Sequence, residues 1–252
     1  MQINPLIFRN YDIRGKVPED LDSDKIYAIG KGYAKLLLRR KIRHAVVGHD
    51  CRLSGPEFSE AFIKALTSSG INVIDLGLVM TQMVYYGQYR FQTNGGAMIT
   101  ASHNPSNYNG FKLAIGYSIT TGPEEVQEIK GYVDNDDFVD AEVEGTYTTA
   151  DIKEDYFKDV LKRVNIKKKL KIVVDSHNGT TGMYVPELIR RTGCEVVERF
   201  TEVDGNFPNG TPDPTDAHII MDLAKIVLDE KADLGVAFDG DGDRIGIVDE
   251  KG

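Results

Sequence analysis

Disulfide chemistry has little to work with in this chain. Cysteine occurs twice in 252 residues, as Cys51 and Cys194, far apart in sequence. That sparseness excludes a disulfide-stapled scaffold and points to two reduced thiols in a cytoplasmic compartment. No hydrophobic run approaches the length of a membrane span, so no membrane association is expected. The opening Met1-Gln2-Ile3-Asn4-Pro5 lacks the charged segment and apolar stretch of a secretory signal. Basic residues are in deficit, 30 against 39 acidic ones, and the net charge of −9 argues against a non-specific nucleic-acid binder. Phosphate substrates are not excluded, because a metal ion and a few local arginines invert the field around a site. There is no Walker A sequence, and no Gly-x-Ser-x-Gly elbow of the hydrolase type. Low-complexity tracts are lacking too, and Lys167-Lys168-Lys169 reads as a solvated turn.

What is present is most concentrated at Asp239-Gly240-Asp241-Gly242-Asp243-Arg244, directly after the apolar run Leu234-Gly235-Val236-Ala237-Phe238. Like charges about 6 Å apart cost about 0.7 kcal/mol per pair in bulk water and about 3 kcal/mol at an effective dielectric near 20. A cation relieves that repulsion, and an all-oxygen ligand set suits Mg²⁺ or Ca²⁺ rather than zinc. The glycines allow unusual backbone angles that turn the carboxylates toward one point. An EF-hand count places Asp239, Asp241, Asp243 and Glu250 at ligand positions, but Arg244 stands where that loop needs glycine and the flanks are strand-like. The expectation is a hard divalent cation at the end of a buried strand.

Periodicity predicts a helix over 22–40, with Ile26, Ile29, Tyr33, Leu36 and Leu37 on one face. Strand Ala45–Gly48, a helix over 56–69, strand Ile71–Asp75, a helix over 81–91, and strands Gly96–Thr100 and Phe111–Ile115 follow. The second half repeats the order. A helix over 151–164 leads to strand Lys171–Asp175, a helix over 182–192, strand Glu195–Val197, a helix over 216–230, and strands 234–238 and 245–248. In both halves the polar motif falls between the last two strands, at 100–110 and at 239–244. The predicted class is α/β: two tandem three-layer α/β/α domains of related topology with mixed sheets, over 1–150 and 151–252.

Three further stretches carry chemistry. Thr100-Ala101-Ser102-His103-Asn104-Pro105 leaves a buried strand and enters a turn-rich segment, which suits Ser102 as an exposed nucleophile. The same residues equally suit a turn in which Ser102 and Asn104 bond their own backbone. Phe8-Arg9-Asn10-Tyr11-Asp12-Ile13-Arg14-Gly15 sets two arginines and a tyrosine before the first helix, and arginine matches phosphate bidentately. Surface ion pairing would explain that stretch as well. Lys112, in Asn109-Gly110-Phe111-Lys112, enters a strand beside the serine loop, either to shuttle a proton or as an ordinary edge-strand lysine.

Together these four motifs resemble the α-D-phosphohexomutase family, in its phosphomannomutase/phosphoglucomutase branch. Asn10-Tyr11-Asp12-Ile13-Arg14-Gly15 and Tyr108-Asn109-Gly110-Phe111-Lys112 are similar to that branch rather than to the phosphoglucosamine branch. The resemblance implies that Ser102 carries a phosphoryl group and that Asp239, Asp241 and Asp243, with Ser102, hold Mg²⁺. It implies roles for Tyr11, Arg14, His103 and Arg244 in the site, and for Lys112 as general acid/base. It implies interconversion of hexose 6-phosphate and hexose 1-phosphate, of mannose or glucose, through phosphoserine and a hexose 1,6-bisphosphate.

Two departures accompany it. Asp175-Ser176-His177-Asn178-Gly179-Thr180-Thr181-Gly182 differs from the family's Asn-Gly-Ala-Gly pattern. The Gly-Glu-x-Ser-Gly-His sugar loop and the Ser-Gly-Thr-Glu-Pro phosphate loop of the family's third and fourth domains are absent from these 252 residues. The resemblance thus covers the family's N-terminal half, with the C-terminal domains expected in cis or as a separate chain and with little turnover expected from this half alone. A metal-dependent phosphatase or phosphate-binding module, its phosphoserine open to water, and a non-catalytic half that assembles with a separate C-terminal chain are the alternatives. If the aspartates hold Mg²⁺ against a phosphoserine, Ser102 and the three aspartates must converge although more than 130 residues separate them.

Overall fold

Alternation of apolar runs with amphipathic helices dictates the architecture. A computed structural model describes residues 3–252 of the chain. By contacts it divides into two units: residues up to Ala101 with Asn107–Asp151, and Ile152–Gly252 with Ser102–Ser106. The serine loop therefore groups with the second unit.

In the first unit, β1 is Ile13–Lys16, α1 Ser23–Arg39, β2 His44–His49, α2 Gly55–Ser68, β3 Asn72–Leu78, α3 Thr81–Phe91, β4 Gly95–Ile99, β5 Tyr108–Gly116, β6 Ile119–Thr120, α4 Pro123–Asp134 and β7 Tyr147–Thr149. The sheet order is β1-β5-β4-β2-β3-β7, with β6 paired to β5. Strands β2, β3, β4 and β7 pair in parallel, whereas β5 is antiparallel to both β4 and β1. Side chains alternate across a strand. Ala45, Val47, Val73, Ala97, Ile99, Phe111 and Leu113 accordingly join Ile29, Tyr33, Phe62, Leu66 and Ile129 of α1, α2 and α4 in one core. On the other face lies α3, close enough that a Cβ on Gly48 would meet Val84 at 3.0 Å. Asp22 caps α1 by accepting the N–H of Lys25 at 3.0 Å. Pro56 sits in the first turn of α2, and Gly70 at φ +83° follows its end.

In the second unit, α5 is Lys153–Arg163, β8 Lys171–Asp175, α6 Val185–Arg191, β9 Glu195–Arg199, α7 Ala217–Asp229, β10 Leu234–Phe238 and β11 Ile245–Asp249. Its order is β11-β10-β8-β9, parallel except for the antiparallel β10–β11 pair. Leu223 and Val227 of α7 pack with Val173, Ala237 and Val248. The helix expected over 182–192 is a 3-10 turn at Thr180–Met183 followed by α6, which begins late with Pro186 in its first turn. Strand β1, helix α4 and strand β7 escape the periodicity reading altogether. No helix among the described residues is long and apolar enough to cross a membrane.

Candidate active site

Charged residues after a buried strand need backbone support, and the loop from β10 to β11 supplies it. Asp239 Oδ1 accepts the Arg244 N–H at 3.1 Å, and the Gly242 N–H reaches the Asp239 carbonyl at 3.1 Å. The two glycines differ in their tasks. Gly242 adopts φ +79°, the left-handed region that favours glycine. Gly240 is required for approach: a Cβ there would lie 2.7 Å from the Ser102 carbonyl oxygen. From beneath, the Thr180 N–H donates to the Gly240 carbonyl at 2.9 Å, and a Cβ on Gly179 would meet the Gly240 Cα at 3.1 Å. The departing 175–182 segment therefore backs the aspartate loop. It is shaped by Asp175, which accepts from the His177 N–H at 2.9 Å and from its ring Nδ1 at 2.7 Å. His177 and Asn178 stand at φ +43° and +61°.

Ser102 meets this loop. Its hydroxyl donates to Asp239 Oδ2, so both carboxylate oxygens of Asp239 are engaged. Asp239, Asp241 and Asp243 each offer an oxygen within 4.8 Å of the others, with the first two buried and the third exposed. An all-carboxylate set this close fits a hard divalent cation. One expectation is corrected here. Ser102 is fully buried rather than exposed, because its Oγ turns under the aspartate loop toward Asp239. It also lies at φ +54°, uncommon for a residue with a Cβ.

His103 Nδ1 lies 2.5 Å from the Arg244 guanidinium and 3.4 Å from Ser102 Oγ. Arginine carries only donors, so Nδ1 accepts and the ring proton sits on Nε2. Asp239 rather than His103 receives the serine hydroxyl. Nearby, burial pushes the Asp213 carboxyl up, but the Thr215 hydroxyl and N–H outweigh it. With the charges of His103 and Arg244, they hold that carboxyl below the usual range.

The remaining sequence-derived residues belong to the first unit. Arg14, on β1, pairs with Asp12 at 2.7 Å and donates to the Ala101 carbonyl at 2.8 Å, one residue before Ser102. Lys112 lies on β5 in register with Met98 of β4. Tyr11 stands exposed ahead of β1. Asp50, Arg52 and Asp213 carry no sequence assignment. The signal for the first two lies in the sequence, since Asp50 and Arg52 follow within four residues of the apolar strand Ala45-Val46-Val47-Gly48.

The profile described as "Phosphoglucomutase/phosphomannomutase, alpha/beta/alpha domain I" matches residues 5–140, and that of domain II matches residues 154–252. The chain belongs to the phosphoglucomutase/phosphomannomutase family. Among family relatives, a phosphomannomutase/phosphoglucomutase of Pseudomonas putida is 44% identical over 246 residues, which cover 98% of this chain and 52% of that protein. A phosphoglucomutase of Neisseria gonorrhoeae is 41% identical over 246 residues, covering 98% of this chain and 53% of that one. The crystal structure of a phosphoglucomutase/phosphomannomutase family protein from Burkholderia thailandensis is similar with a TM-score of 0.94 at 33% identity, covering 100% of this chain and 56% of that one. The chain thus spans about half the length of the curated family members it matches.

Proposed function

We propose that these residues are the phosphoryl-transfer half of a phosphohexomutase, with a serine-bearing domain over 1–150 and a metal-binding domain over 151–252. In this reading a phosphoryl group on Ser102 passes to a hydroxyl of a hexose monophosphate. The Ser102 Oγ–P bond breaks, a P–O bond to the sugar forms, and the hydroxyl proton leaves to a base. The resulting hexose 1,6-bisphosphate returns its other phosphoryl group to Ser102, so that phosphate moves between C6 and C1. The observation that carries the proposal is the hydrogen bond from Ser102 to Asp239 within a cluster of three converging carboxylates.

Asp239, Asp241 and Asp243 would hold Mg²⁺, with Ser102 beside them. The cation would offset the near-double negative charge of phosphoserine and stabilise the phosphoryl group in transfer. When Ser102 is reloaded, its hydroxyl proton has an acceptor in Asp239 Oδ2. Arg244 and His103 stand together beside the serine, where each could donate to a phosphate oxygen. Arg14 fixes the backbone ahead of Ser102, Lys112 is assigned proton transfer at the sugar hydroxyl, and Tyr11 substrate contact. Cys51 and Cys194 form no disulfide, in keeping with a cytoplasmic setting. The substrates would be mannose or glucose phosphates.

Intact mass before and after incubation with a hexose 1,6-bisphosphate and Mg²⁺ tests the reading. Gain of one phosphoryl group, lost in Ser102→Ala, is expected, with little mutase turnover from these 252 residues alone. No gain by the unaltered chain would sink it.

A further inference from the structure

The segment that carries Ser102 leaves the first sheet at Thr100–Ala101 and re-enters it at Asn107–Tyr108. Both points of attachment meet one buried ion pair. Asp50 and Arg52, immediately beyond β2, have side chains with 0% exposure, and Arg52 Nε lies 3.2 Å from Asp50 Oδ2. On the outgoing side, the Thr100 hydroxyl donates to Asp50 Oδ2 at 2.6 Å, and the Asp50 N–H reaches the Ile99 carbonyl at 3.0 Å. On the returning side, Arg52 donates through its guanidinium to the Tyr108 carbonyl at 2.9 Å. The Arg52 N–H closes the pair on Asp50 Oδ1 at 3.1 Å.

A buried ion pair gives little stability beyond what a well-packed apolar pair would give, because desolvating two charges offsets their attraction. What this pair does supply is direction. It ties the two ends of a nine-residue path, Thr100 to Tyr108, to one rigid point at the end of β2. Ser102 sits on that path in the left-handed region, a conformation that persists only where the surroundings hold it.

We propose that Asp50 and Arg52, acting through Thr100 and Tyr108, are positioning residues that aim the Ser102 hydroxyl. They touch neither substrate nor metal. The inference rests on the reading of Ser102 as phosphoryl carrier, and its test separates the two. Thr100→Val keeps the shape of the side chain and removes the hydroxyl that Asp50 receives. It is expected to slow Mg²⁺-dependent loading of Ser102 from a hexose 1,6-bisphosphate by about ten- to a hundredfold, the scale of a misplaced reacting group. The half-saturating bisphosphate concentration should stay unchanged, because the pair does not touch the sugar. Thr100→Ser should restore the rate. Hydrogen exchange gives a readout without chemistry: amides of residues 101–107 should exchange faster in Thr100→Val by about tenfold, while those of β10 and α7 do not change.

Loading at the wild-type rate by folded Thr100→Val overturns the inference while leaving the phosphoryl-carrier reading intact. So does an equal slowing in Thr100→Ser, which keeps the hydroxyl that Asp50 accepts. If the unaltered chain does not load at all, the functional reading falls, and unchanged exchange at 101–107 would remove the positioning claim as well. Asp50→Asn should reproduce the slowing, and a fully active, folded Asp50→Asn would also refute it.

Discussion

Four strands of the first sheet, β5-β4-β2-β3, follow the order of the second, β11-β10-β8-β9, and in each set the first pair is antiparallel. The loop across that antiparallel pair carries the candidate site residues both times. The serine follows β4, and the aspartates follow β10. The supports differ. The serine segment is held at its stems by side chains: Asp50 on the Thr100 hydroxyl, Arg52 on the Tyr108 carbonyl, Arg14 on the Ala101 carbonyl. The aspartate loop is held by main-chain groups: the Arg244 N–H on Asp239, the Gly242 N–H on the Asp239 carbonyl, the Thr180 N–H on the Gly240 carbonyl. A loop whose side chains are clustered carboxylates has few side-chain donors of its own, so backbone N–H groups shape it. A loop that presents one hydroxyl leaves neighbouring side chains available. In the first sheet β5 is flanked by β1, whereas β11 is an edge with Ile245 and Ile247 52% and 61% exposed.

The harshest way to break the comparison is Asp239→Ala. It removes the acceptor of the Ser102 hydroxyl, one of the three clustered carboxylates, and the anchor for the Arg244 N–H together. Loading of Ser102 should fall by at least about a thousandfold, equivalent to about 4 kcal/mol of transition-state stabilisation. Chelation of divalent cations should bring the unaltered chain to the same level. Loading of Asp239→Ala within tenfold of wild type, measured by intact mass over time, would remove the metal cluster from the reaction.

A pair of glycine substitutions sharpens the difference between frame and site. Gly110→Ala would place a Cβ 1.9 Å from the Ile13 carbonyl oxygen and force β1 from β5. Its loss of loading should track a lowered unfolding midpoint. Gly240→Ala would push a Cβ to 2.7 Å from the Ser102 carbonyl, separating the two loops without opening the α7 core. Loading should drop by about a hundredfold, as expected for a misplaced reacting group, while the melting temperature barely moves. Equal melting losses in both variants would show that Gly240 is a packing residue like any other.

Much of this was legible in the residues and some could not be. Apolar runs such as Val173-Val174 and Val236-Ala237 mark buried parallel strands because both faces are covered. Strand β1 escapes because Arg14-Gly15-Lys16 has no apolar alternation; its pairing with β5, nearly a hundred residues on, is what makes it a strand. Helix α4 carries a signal in its residues, with Pro123 in its first turn, Glu125 accepting the Gly122 N–H, and Val126, Ile129 and Val133 on one face. Strand β7 is three exposed residues, Tyr147-Thr148-Thr149, which carry no pattern at all. In the site, the residue types announced a cation and a nucleophile, but whether Ser102 faces solvent or Asp239 depends on contacts 137 residues apart. No local pattern encodes that.

The smallest effect concerns Asp213, which carries charge opposite to the basic side of the serine segment. Its folded-state carboxyl lies below the ordinary value of 3.8: burial opposes this, but the Thr215 hydroxyl at 2.7 Å and N–H at 3.0 Å, then His103 in acid and Arg244, favour the anion. A depressed carboxyl contributes stability that is fully present above its unfolded value and is lost as pH falls through the folded value. Asp213→Asn should therefore lower the melting temperature slightly at pH 7, and the gap between the two proteins should close on acidification below about pH 4. Because Asp213 is only partly buried, the shift should be small. A gap that is unchanged or widens in acid, followed by thermal melts from pH 7 to pH 3, would mean that Asp213 is held by shape rather than by charge.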